Sequence, residues 1–136
     1  MTWITSEIEY EDLPLLLRKP EYQNIWDYKD KFTRLVSIEH HLKKVTNNGL
    51  PEKEYNLTLA GFDHYMCSIF NNSSDGLIFL IETFSGKRNY YYFTLPDFKM
   101  QFLIERAIKR FDVVLESWTQ MDIGWGFLNA YPVKLH

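Results

Sequence analysis

Cysteine is nearly missing from this chain: Cys67 is the only one in 136 residues, so no internal disulfide is open to it, in agreement with a reducing compartment. Glycine (6) and proline (5) are sparse, which leaves each as punctuation between elements. No apolar run approaches the ~18 residues that a membrane helix needs. The opening Met1-Thr2-Trp3-Ile4-Thr5-Ser6-Glu7 has none of the basic-then-apolar order of a secretory leader. A soluble, cytoplasmic protein with no membrane role is expected. Charge of one sign is lacking too: fifteen Lys and Arg against eighteen Asp and Glu leave a net −3, which supplies no overall attraction to nucleic acid or anionic lipid. Internal repeats, low-complexity tracts and long like-charge blocks are absent.

What the chain has in excess is aromatic rings: 4 Trp, 9 Tyr and 10 Phe make up 17% of it. Its length fits one domain, 1–136, because domains most often run roughly 100–150 residues. A chain of this size buries roughly two-thirds of its unfolded surface, enough for one core without metal or disulfide. The surplus of rings must lie in that core or under something.

Residues 3–30 are irregular and read as an N-terminal wrap, with a short strand at 13–18 that Pro14 confines to a sheet edge. Residues 31–39 alternate, with Phe32, Arg34, Val36 and Ile38 on one side and Thr33, Leu35 and Ser37 on the other, as a strand does. Asn47-Asn48-Gly49 signals a turn, and Pro51 suits the first turn of a helix. Tyr55, Leu59, Phe62, Met66, Ile69 and Phe70 then draw one apolar stripe, interrupted by Gly61 at a cost of about 1 kcal/mol relative to Ala, a cost that points to close packing there. The polar run from Asn71-Asn72-Ser73 to Gly76 breaks this helix. Two runs rich in β-branched and aromatic residues, 77–83 and 89–95, flank Ser85-Gly86-Lys87 and read as a hairpin. Pro96 and Asp97 open a second helix with a stripe of Met100, Leu103, Ile104, Ala107, Ile108 and Phe111, and Lys109 and Arg110 suit its C-terminal end. Residues 112–118 read as a last strand, and 121–131 as a short helix or coil ending at Pro132.

Strand, helix, hairpin, helix, strand is an α+β order: a ferredoxin-like split β-α-β (βαββαβ) over 31–133, with an antiparallel sheet, two helices on one face, and residues 1–30 as an extension. Two layers leave one sheet face to water. Yet Leu77, Phe79 and Ile81 oppose Ile78 and Leu80, Tyr90 and Tyr92 oppose Tyr91, Phe93 and Leu95, and Val113 and Leu115 oppose Val114 and Trp118. Both faces call for cover, which either the aromatic wrap (Trp3, Tyr10, Tyr22, Trp26, Tyr28) or a partner supplies.

Gly49-Leu50-Pro51 at the first helix, Gly86-Lys87-Arg88 with Tyr92-Phe93 across the hairpin, and Asp122 and Trp125 ahead of Tyr131-Pro132 form a further pattern. It resembles the bacterial domain-of-unknown-function family 695 over roughly residues 30–133. That family is similar in fold to the RraB-like regulators of ribonuclease E, which act by protein contact. Asn89 stands where the family usually has an acidic residue, and the interval from Trp125 to Tyr131 is short for it. The resemblance implies a ferredoxin-like fold without established catalysis, and it supplies no mechanism.

Candidate chemistry is thin. Asp63, His64 and Cys67 share a helix turn, but two ligands do not make a zinc site, and only His40, His41 and His136 could add nitrogen. A solvated helix face is the better reading, with His40-His41 decorating a loop. No G-x-S-x-G elbow or phosphate-binding glycine loop exists, Cys67 reads as a small packed hydrophobe, and the carboxylates are scattered. No catalytic, cofactor-binding or metal residue is assigned. The segment from Lys87 to Phe93 resembles the base-stacking strand of RNA-recognition domains, but the glycines of that motif are missing, the first strand offers only Phe32, and the charge is negative. The expected function is a non-enzymatic protein-interaction or regulatory module, with Arg88, Tyr90 and Tyr92 docking a protein partner or a second copy. Asp122 and Trp125 join this set through the resemblance alone. Core packing is the plain alternative for the tyrosines, and a small-ligand pocket or enzyme site is the other class of function.

Overall fold

The computed structural model describes residues 2–22, 24–71 and 74–131; Met1, Asn72, Ser73, Pro132 and His136 lie outside the described residues. The chain is α+β, and among the described residues it has six strands in one antiparallel sheet and four α-helices.

The opening segment is a hairpin rather than an irregular wrap. β1 (Trp3–Tyr10) and β2 (Leu13–Pro20) pair antiparallel about Glu11 and Asp12, both left-handed (φ 51° and 66°), the geometry of a two-residue hairpin turn. β2 goes on to pair with β4 (Gly76–Phe84) from Leu15 to Arg18, so it is interior and β1 is the edge. Pro14 sits just outside that paired stretch, where its missing donor breaks no rung with β4.

β3 (Arg34–His41) begins later than expected and carries both histidines within the strand. The first helix is split into α1 (Lys53–Thr58) and α2 (Ala60–Ser68) at Leu59 (φ −87°, ψ −2°), whose N–H turns to Asn56 O at 3.1 Å. Leu59, Phe62 and Met66 are nonetheless buried along one stripe. Close packing is not what keeps Gly61: a Cβ there would meet only Phe111 Cε1, at 3.6 Å.

β4 and β5 (Lys87–Thr94) join through Ser85 (φ 51°) and Gly86 (φ 85°), again a two-residue turn. Gly49 O accepts from Gly86 N–H at 2.8 Å, so close that a Cβ on Gly49 would lie 2.7 Å from Ser85 Cα. A bulge between Ile78 and Leu80 inserts Phe79 as an extra residue. It corrects the simple alternation: Leu77, Phe79 and Leu80 serve one core, Ile78 and Ile81 the other. α3 (Gln101–Phe111) ends at left-handed Asp112, which displaces β6 to Leu115–Met121. α4 (Gly126–Ala130) follows.

The sheet order is β1-β2-β4-β5-β3-β6. On one face, Val36, Ile38, Tyr90 and Tyr92 meet Phe62 and Met66 of α2 and Ile104 and Ala107 of α3. On the other, Leu35, Tyr91 and Phe93 meet Phe32, Trp125 and Leu128, with Tyr22, Ile25 and Trp26 at the margin. The second face is therefore covered by the chain itself, jointly by Tyr22, residues 24–32 with the 3₁₀ turn Ile25–Tyr28, and α4. β6 departs from the expectation of two buried faces, since Val114 and Trp118 are exposed. No helix among the described residues is long and apolar enough to cross a membrane.

Candidate functional site

Arg88, Tyr90 and Tyr92 are brought together, but inside the molecule. Strand alternation points both tyrosines under α2, where they are 0% and 1% exposed. Tyr90 OH donates to Asp63 Oδ1 at 2.7 Å and Tyr92 OH to Met66 O at 2.7 Å. Arg88, also buried, donates from Nε to Thr83 Oγ1 (2.9 Å) and from Nη2 to Asn56 Oδ1 (3.2 Å). These three side chains hold the fold and offer no surface to a partner, which corrects their assignment as docking residues. Asp122 and Trp125 lie on the other face and are structural as well. Asp122 accepts from the N–H groups of Gly126 and Phe127 (2.9 and 3.1 Å), anchoring the start of α4. Trp125 is fully buried, stacks on Phe93 at 4.1 Å and donates Nε1–H to Phe32 O at 2.7 Å.

Asp63 is the hub of the polar core. Arg18 on β2 grips it bidentately (2.6 and 3.0 Å), tying the opening hairpin to α2. Burial raises the Asp63 pKa, but the Arg18 hydrogen bonds and charge and the Tyr90 hydroxyl outweigh it and hold the carboxyl below its ordinary value. Burial and the Asp63 charge push Tyr90 well above the usual phenol value, so it stays a donor. The same two causes push Cys67 up to about 12, which removes it as a nucleophile at neutral pH. His64 is exposed and joins no metal-ligand group. His40 is buried edge-on against Phe62 (4.9 Å) with neither ring nitrogen hydrogen-bonded; burial and then the Arg88 charge lower its pKa to about 4.

Outside the core, Glu39, His41 and Glu116 converge across β3 and β6. His41 Nε2 lies 3.3 Å from Glu39 Oε2 and 3.4 Å from Glu116 Oε2. Lys87 Nζ stands 3.5 Å from Glu39 Oε1, so a cation already faces this acid in a surface cluster.

An aromatic-lined concavity lies beside α4. Tyr10, Phe84, Tyr91, Phe127 and Tyr131 wall a cleft of about 320 Å³ into which Glu82 opens. Three neutral donors hold the Glu82 carboxylate: Asn89 Nδ2 (3.1 Å), Tyr91 OH (3.4 Å) and Tyr131 OH. Burial raises both phenol pKa values and Glu82 raises them further, so the hydroxyls keep their protons. Glu82 and its cleft went unread in the sequence, although Glu82 is the single charge in the run from Leu77 to Phe84. Comparison with family models, curated proteins and solved structures gives no match to this chain.

Proposed function

We propose that this chain is a non-enzymatic protein-interaction module, built on a ferredoxin-like core, that pairs with a second copy of itself along β6. The order β4-β5-β3-β6, with α1 and α2 between β3 and β4 and α3 between β5 and β6, supports the split β-α-β reading; β1 and β2 widen that sheet beyond β4. The likeness to family 695, whose fold relatives work by protein contact, belongs to the same proposal. So does a cytoplasmic setting, which a single cysteine held as a thiol suits.

The observation that carries the reading is the unguarded edge of β6. Among the described residues it pairs only with β3, and Trp118 and Met121 are 45% and 52% exposed, with Val114 and Ile123 exposed at its two ends. The opposite edge, β1, carries Glu7 and Glu9, charges of the kind that deter strand addition. β6 carries one charge, Glu116. In a two-fold antiparallel pair centred on Trp118, the two Trp118 rings adjoin, Leu115 meets Met121, and Glu116 meets Gln120 rather than its own copy.

Light scattering and sedimentation test this directly. The wild-type chain should approach twice its 16.3 kDa as concentration rises, and Trp118→Lys should remain at the single-chain mass. A wild-type protein that stays monomeric at high micromolar concentration, or a Trp118→Lys variant that still dimerises, overturns the proposal.

A further inference from the structure

Among the described residues, no cation balances the charge of the Glu82 cleft. We propose that the cleft is a binding site for a small organic cation of the quaternary ammonium class.

Glu82 sits among the rings of Tyr10, Phe84, Tyr91, Phe127 and Tyr131. Its three hydrogen-bond donors, Asn89, Tyr91 and Tyr131, are all uncharged, and among the described residues no Lys, Arg or His forms an ion pair with it. Uncharged donors do not cancel the charge of a carboxylate, so the lining of an apolar cleft holds an acidic group with no cation beside it among the described residues. Elsewhere this fold does the opposite: Asp63 is gripped by Arg18, and Glu39 by Lys87. Among the described residues, the difference marks Glu82 as a carboxylate without a cationic partner and open to a counterion from outside.

The lining selects the kind of counterion. A hydrated metal ion wants several hard oxygen ligands, and here one carboxylate and three phenols stand among aromatic rings and aliphatic carbon. A neutral apolar molecule would fill the volume and leave the charge unanswered. A quaternary ammonium ion satisfies both features. Its methyl groups offer apolar surface to the rings, its diffuse charge is attracted by their π faces, and its weak hydration makes entry into the cleft cheap. A volume of about 320 Å³ is at the small end of the range for ligand sites and suits a compact head group. Tyr10, 40% exposed and in edge contact with Phe84 at 5.7 Å, is a wall that a ligand can reach.

Choline and its uncharged carbon isostere, 3,3-dimethylbutanol, are the probes, titrated into the intact chain by calorimetry and by NMR of the aromatic protons. The wild type should bind choline about tenfold more tightly than the isostere. Glu82→Gln should bring the two affinities together while near-ultraviolet dichroism stays native. Should that variant fail to fold, Tyr10→Lys serves in its place, because it sets a fixed positive charge at an exposed position; it should abolish choline binding and spare the isostere. Equal affinity of the wild type for both probes, no binding of either, or a choline preference that survives Glu82→Gln or Tyr10→Lys overturns the proposal. None of these outcomes depends on whether β6 pairs with a second copy.

Discussion

Removing the Asp63 carboxylate, as in Asp63→Ala, strands two groups at once. Tyr90 is wholly enclosed, and its hydroxyl would lose its acceptor at 2.7 Å, a loss of about 1–3 kcal/mol for a buried donor left unpaired. Arg18 would lose a bidentate partner, but its side chain is 27% exposed and can turn toward water. Its share is therefore about 1 kcal/mol, below the 3–5 of a fully buried pair. The sum is about 3 kcal/mol. With an unfolding entropy of ~2.1 cal/mol/K per residue, that lowers the melting temperature by about 10 °C. Urea unfolding followed by tryptophan fluorescence measures it. In a Tyr90→Phe background no hydroxyl remains to be stranded, so Asp63→Ala should cost about 1–2 kcal/mol less there. The pH dependence has a definite sign. The folded Asp63 pKa is depressed, so its contribution is complete above the unfolded value near 3.8 and fades as pH falls through the lower folded value. The gap between wild type and Asp63→Ala should be flat from neutral pH to about 5 and narrow in stronger acid. A variant within about 0.5 kcal/mol of wild type, no coupling to Tyr90, or a gap that does not narrow in strong acid would refute the hub role.

His40 titrates near 6.5 when unfolded and at about 4 when folded, so the wild type should lose of order 3 kcal/mol as pH falls across that window, and His40→Leu should remove that slope in urea melts read at stepped pH. Gly61 is exposed, helical and in ordinary contact with Phe111 only; Gly61→Ala should therefore stabilise by about 0.5–1 kcal/mol, seen as a rise of a few degrees in the calorimetric melting temperature.

The hairpin of β4 and β5, the stripe of α3 and the burial of both sheet faces were legible because each rests on contacts within one element or between neighbours. The β1–β2 hairpin was not. Most side chains of Trp3–Tyr10 face water, so the period-two signal that a half-buried strand leaves in a sequence never forms. Val113 and Val114 read as the start of the last strand, yet Asp112 turns left-handed at the helix end and Val113 packs under α3 before β6 begins. Tyr90 and Tyr92 read as docking residues because the acceptors that use them, Asp63 and Met66 O, lie 27 and 26 residues away. The Glu82 cleft was half legible: a lone acid in an apolar run is visible, but its partner Tyr131 is 49 residues distant and leaves no local sign.

The excess of rings and its destination together dictate where a surface remains. The α-helical layer of α1, α2 and α3 occupies one face of the sheet with Tyr90 and Tyr92, and Tyr22, residues 24–32 and α4 occupy the centre of the other, plugged by Trp125 against Phe93. A short cover cannot span a six-stranded sheet: neighbouring strands lie about 4.8 Å apart, so six cover roughly 24 Å, whereas five residues of helix run only about 7.5 Å. Apolar side chains must then surface wherever the second layer stops. It stops toward β6, where Trp118 emerges on the Leu35 face, and near the hairpin end of β4, where Tyr10, Phe84 and Tyr131 surround Glu82. Two margins with different chemistry follow from one incomplete layer: a charge-poor strand edge suited to another strand, and an aromatic recess with an unbalanced carboxylate suited to a cation. They lie on opposite sides of the Trp125 plug, so Trp118→Lys and Glu82→Gln should each leave the other's function intact.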